Sequence, residues 1–98
     1  MIETEKKSNR INRKAALEKE LKKRFNEVEI NGETCFLKET GEVFHVDDMG
    51  GEFDAIVIEY AQNEAEANLG RYEDGDPFYM DEMDEAEMLD AILKEIDS

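Results

Sequence analysis

Two side chains have the chemistry for nucleophilic work, Cys35 and His45, and each is the only residue of its type in the chain. A Cys/His hydrolase needs both on one reachable surface, with the imidazole positioned to take the thiol proton. The strand pattern predicts otherwise. It sets Cys35 on an inward face with Val28, Ile30, Leu37, Phe44 and Val46, and His45 on the opposite face with Phe36 and Val43. A thiol buried among apolar neighbours behaves as a small inert hydrophobe. The expectation is a protein with no catalytic residues, no cofactor and no enzymatic activity.

The second chemistry-bearing stretch is the acidic segment Tyr72-Glu73-Asp74-Gly75-Asp76-Pro77-Phe78-Tyr79-Met80-Asp81-Glu82. Counted as a calcium loop from Asp74, it puts Asp76 and Glu85 at positions 3 and 12. Position 5 is then Phe78, and position 6, which needs glycine for its sharp turn, is Tyr79, so no dedicated metal site is expected. The segment makes better sense as a recognition surface. Arg71 to Glu87 holds eight acids, with three aromatic residues among them. Carboxylates approximate the spacing of DNA phosphates, and aromatic side chains are rigid interface anchors. Tyr72, Glu73, Asp74, Asp76, Phe78, Tyr79, Asp81 and Glu82 are therefore the candidate partner-binding residues.

Charge distribution supports that reading. Residues 1–25 carry nine Lys/Arg against four acids, whereas residues 26–98 carry three against 23, a net of −20 within a chain of −15. A body this negative repels nucleic acid and anionic membranes and attracts basic proteins or its own basic arm. Direct nucleic-acid binding is not expected, and the basic helix is expected to dock on its own acidic body. The longest apolar run, Ala55–Ile58, is far short of a membrane span. With no apolar leader at the N-terminus and one cysteine, which forms no internal disulfide, the expected location is cytoplasmic.

The elements that must position these residues follow from period and turn chemistry. Residues 1–11 are read as a flexible basic N-terminus and 12–98 as one α+β domain. Asn12–Phe25 is predicted helical, with Leu17, Leu21 and Phe25 as a narrow apolar stripe. Asn31-Gly32 between alternating residues predicts a two-residue hairpin pairing Ile30 with Glu33 and Val28 with Cys35. A second two-residue turn at Thr40-Gly41 would pair Leu37 with Phe44 and Cys35 with Val46. Asp47–Glu52 reads as a loop, and Phe53–Tyr60 as a strand apolar on both faces. Asn63 with Glu66 caps a short helix over 64–69 stopped by Gly70, Arg71–Met83 is an acidic loop, and Asp84 with Glu87 caps a last helix. The expected fold is a four-stranded, mainly antiparallel sheet with one N-terminal and two C-terminal helices.

The stretch Ile56-Val57-Ile58-Glu59-Tyr60-Ala61-Gln62-Asn63-Glu64-Ala65-Glu66-Ala67, continuing through Arg71-Tyr72-Glu73-Asp74-Gly75-Asp76-Pro77-Phe78-Tyr79 to Met88-Leu89, resembles small acidic proteins carried on conjugative and other mobile elements of Gram-positive gut bacteria. The resemblance covers the C-terminal half and implies mobile-element biology; it brings no catalytic residue with it. Together these readings predict a non-enzymatic interaction protein that binds a basic protein partner, as a nucleic-acid-mimicking inhibitor. The alternative is an assembly module that forms a homodimer through an apolar face.

Overall fold

A computed structural model describes residues 13–49, 54–79 and 81–97. The expected flexible arm 1–11 lies outside them. Helix α1 is described over 13–22. Strands β1 (Asn26–Ile30), β2 (Glu33–Leu37), β3 (Val43–Met49) and β4 (Ala55–Ala61) follow, then α2 (Glu64–Asn68), the two-residue strands β5 (Glu73–Asp74) and β6 (Phe78–Tyr79), and α3 (Glu85–Asp97). The class is α+β, but the antiparallel sheet has six strands where four were expected. Its order is β1-β2-β3-β4-β5, with β6 also on β4. The two extra strands come from the acidic segment, which is not a free loop.

The first hairpin forms as its turn chemistry dictates. Asn31 and Gly32 both have positive φ, +54° and +79°, which a type I′ turn requires. Val28 pairs with Cys35 and Ile30 with Glu33. The second turn differs from the expectation. The Lys38 N–H donates to the Glu42 carbonyl at 2.8 Å and the Gly41 N–H to the Lys38 carbonyl at 2.9 Å, with Gly41 at φ +94°. The loop is therefore three residues, Glu39-Thr40-Gly41, ending in left-handed glycine, the usual three-residue hairpin geometry. One more loop residue shifts the register by one: Phe36 pairs with Phe44 and Leu37 with Val43. A slip of one turns every side chain of β3 to the other face.

Phe36, Phe44, Val46, Ile56 and Ile58 thus share one face, under Leu17 and Leu21 of α1 and Met88, Ile92 and Ile96 of α3. The expected partition is corrected accordingly. Phe44 and Val46 leave the Cys35 face, and His45 and Val43 join it. The opposite face buries Ile30, Cys35, Val43 and Ala61 under Ala67 of α2, with Val28, Leu37 and Tyr72 around them. The expected loop at Asp47 is also corrected, because β3 runs on to Met49, which pairs with Ala55.

Helix ends follow capping rules. The Asn63 side chain accepts from the Glu66 N–H at 2.9 Å, and Gly70 sits at φ +74° beyond α2. Asp84 and Glu87 satisfy each other reciprocally: the Glu87 N–H donates to Asp84 at 2.8 Å and the Asp84 N–H to Glu87 at 3.2 Å. α1 stops at residue 22, and Phe25 packs onto the core from a bend, its ring edge-on to Phe44 at 5.1 Å.

Candidate functional site

The acidic segment is an edge built on β4. Glu73 pairs with Tyr60 and Asp74 with Glu59; Phe78 pairs with Ile56 and Tyr79 with Ala55. Glu59 and Ile56 are three positions apart on β4, whereas Asp74 and Phe78 are four positions apart. The extra residue falls in Asp76-Pro77, after the Gly75 N–H has made its own bond to the Ile58 carbonyl at 2.8 Å. Such a bulge bends the strand and breaks the ladder, and Pro77 has no N–H to continue it.

Glu95 of α3 holds this bulge in place. Its carboxylate accepts from the Tyr60 hydroxyl at 2.5 Å and from the Asp76 N–H at 2.8 Å. The fit is close: a Cβ on Gly75 would lie 2.6 Å from a Glu95 carboxylate oxygen and 2.9 Å from the Tyr60 ring. Burial first, then the bond to Glu95, pushes the Tyr60 phenol above its ordinary range. Lys38 ties down the same end of α3, donating to the Ile96 carbonyl at 2.6 Å and to Glu42 at 3.0 Å. Glu95 and Lys38 were invisible as site residues in sequence; the one signal was a glycine amid acids.

The eight candidate residues separate by type. Glu73, Asp74, Asp76, Asp81 and Glu82 are all exposed. Phe78 is buried in the helix-side core, Tyr79 is half-buried, and Tyr72 turns inward onto the other face. The expected aromatic anchors are thus largely withdrawn, because β6 pairing carries Phe78 under the helices. What the edge offers a partner is carboxylate. Among the described residues no cluster of three or more His, Cys, Asp or Glu has the arrangement to hold a metal ion.

The inward-turned Tyr72 creates a constellation the expected register had ruled out. Its hydroxyl lies 3.8 Å from the Cys35 sulfur, either able to donate, and its ring lies 4.4 Å from the His45 ring. His45 Nε2 is 2.5 Å from a Glu59 carboxylate oxygen, while Nδ1 is buried with no hydrogen-bond partner. Cys35 and His45 therefore share a face, a correction that follows directly from the three-residue turn. The thiol is enclosed, with no exposed surface at Cys35, while the His45 and Glu59 side chains are 12% and 27% exposed. Burial pushes the Cys35 thiol up, against the lowering effect of the Tyr72 hydrogen bond. Burial followed by the Cys35 contact pushes Tyr72 up to about 12. A raised thiol is held away from the nucleophilic thiolate form.

The basic helix docks on its own acidic body. Arg13 lies 2.8 Å from Asp48 and 3.1 Å from Asp54. Lys14 reaches Glu33 at 3.5 Å and Lys22 reaches Glu27 at 3.3 Å. A groove between α1 and α3, walled by Leu17, Met88 and Leu89, carries both signs on its rims: Lys19 and Lys23, Glu20 and Glu85. It has no charge preference of its own. Among the described residues no helix is long and apolar enough to cross a membrane. No family model, curated protein or solved structure matches the chain.

Proposed function

We propose that this is a non-enzymatic interaction protein that binds a basic protein partner through the β5–β6 edge, occupying the partner's nucleic-acid groove as a mimic of the phosphate backbone. One observation carries the reading. Five carboxylates, Glu73, Asp74, Asp76, Asp81 and Glu82, are exposed along or just beyond one bulged edge that Glu95 pins to α3. Charges held on an ordered edge lose less entropy on binding than charges on a free loop. Their attraction is long-range and falls with ionic strength. The resemblance to mobile-element proteins points to DNA-cleaving enzymes of host defence as the partner class.

The test is competition. A panel of restriction and CRISPR nucleases is assayed for duplex DNA binding with and without the protein, at low and high salt. Inhibition by the wild type that disappears at high salt and in the triple variant E73K/D74K/D76K supports the reading; undiminished inhibition by that variant sinks it. The homodimer alternative finds little apolar surface to use, since Met49 and Leu69 are the exposed large hydrophobic residues among those described. Light scattering over a concentration series reads it directly.

A further inference from the structure

The sheet ends in two edges of different kinds. The β5–β6 edge is two residues, a bulge with proline, then two more, a form that blunts strand addition. The opposite edge, β1, is five continuous residues without Gly or Pro, paired to β2 on one side and to no strand on the other among the described residues.

The hairpin turn determines which backbone groups that edge presents. A two-residue turn closes on a hydrogen-bonded pair, here Ile30 with Glu33, and bonded pairs alternate along an antiparallel ladder. Val28 and Asn26 therefore also bond to β2. Glu27 and Glu29 turn their N–H and C=O groups outward, two donors and two acceptors in strand geometry. Their side chains share one face and are exposed, while Val28 between them lies half-buried on the other. Lys22 reaches Glu27 at 3.3 Å across exposed surface, a weak contact, and Glu29 has no cation beside it among the described residues.

A second copy does not fit this edge. Antiparallel pairing of two β1 strands about Val28 would set Glu27 against Glu29 twice, and like charges directly opposite are destabilising. The complementary strand has Lys or Arg at two alternate positions facing Glu27 and Glu29, with an apolar residue between them over Val28. We propose that β1 is a docking edge for an extended segment of a partner protein that alternates basic and apolar residues and adds to the sheet as a seventh strand. This site lies across the sheet from the β5–β6 carboxylates and does not rest on their reading.

The test uses the full chain, isotope-labelled, and the probe acetyl-Lys-Val-Lys-Val-Lys-amide. Its saturation is expected to slow amide exchange at Glu27 and Glu29 roughly tenfold or more, as ladder bonds form. The control has the same sequence with all five main-chain nitrogens methylated, so it has equal charge but no N–H to donate along a ladder, and is expected to leave those amides unprotected. The variant E27K/E29K should lose the Lys-Val peptide and gain the corresponding Glu-Val peptide. Equal protection by both basic peptides, absence of protection at Glu27 and Glu29, or an unchanged preference in E27K/E29K would each overturn the proposal. Shifts confined to Glu73–Glu82 would do so while leaving the mimic reading intact.

Discussion

The two faces of the sheet are built to different standards. The helix-covered face is aromatic: Phe44 stacks on Phe36 at 5.6 Å, meets the Phe25 edge at 5.1 Å and lies 6.2 Å from the Tyr60 ring. Two helices close it. The other face has small residues (Cys35, Val43, Ala61 and Ala67) and is closed by a five-residue helix and one tyrosine. It also holds the thiol, the imidazole and the carboxylate of Glu59. Stability is concentrated where the large side chains interdigitate, whereas the groups with chemistry sit beneath the thinner cover.

The largest effect that tests this contrast is Phe44→Ala. Removing a fully buried ring with three aromatic neighbours should cost about 4 kcal/mol. Val43→Ala, the adjacent residue facing the other way, should cost roughly 2 kcal/mol. Urea unfolding at fixed salt measures both. Equal losses would mean that the two faces contribute alike and the contrast is wrong.

Next comes the link between basic helix and acidic sheet. The Arg13 and Asp48 side chains are 10% and 11% exposed, so Arg13→Ala leaves a carboxylate out of water without its partner. Breaking such a pair costs about 3 kcal/mol, whereas replacing both members by apolar residues is close to neutral. R13A should therefore unfold well before the double variant R13M/D48L. If the two unfold together, the pair is screened by solvent and contributes little to holding α1 on the sheet.

Much of this architecture was readable from residues, and the failures have one physical source. Asn31-Gly32, Asn63 with Glu66, and Asp84 with Glu87 each act over a few residues, and each did what its local chemistry requires. The segment Lys38-Glu39-Thr40-Gly41-Glu42 is ambiguous locally: a single glycine serves a two-residue or a three-residue loop. Only packing decides, by bringing Phe44 beside Phe36 and beneath the helices. That one residue controlled whether Cys35 and His45 share a face. The acidic edge was likewise half-legible. Its carboxylates are exposed as their composition implied, but the pairing of Phe78 and Tyr79 with β4, and the role of Glu95, depend on contacts between distant segments.

A smaller effect probes the β5–β6 edge. In Gly75→Ala the new methyl meets a carboxylate that cannot easily move, because Tyr60 and Asp76 both hold it. The expected cost is about 2 kcal/mol, typical of overpacking a fitted site, with the loss of protection at the Asp76 amide read by hydrogen exchange. A neutral G75A would mean that Glu95 is free to swing and that the edge is less ordered than a phosphate mimic needs.

The smallest effect concerns the thin face and its pH dependence. Tyr72 is pushed up to about 12 in the folded chain, against an ordinary phenol value of about 10 when unfolded. Between those values the native state keeps a proton that the unfolded state has released, so stability must fall as pH rises. The contribution is whole below about pH 10 and is lost by about 12. Cys35 and Tyr60 are shifted in the same direction and steepen the decline. Tyr72→Phe removes one of the three protons and should flatten the curve of stability against pH over that interval, with little change at neutral pH. The same variant removes the hydroxyl beside the Cys35 sulfur while leaving an aromatic lid. Thiol labelling should then still follow global unfolding, as it must if the lid and not the hydrogen bond seals the site. Rapid labelling of native Y72F would instead make the Tyr72 hydroxyl the latch, and the thin face a surface that opens on its own.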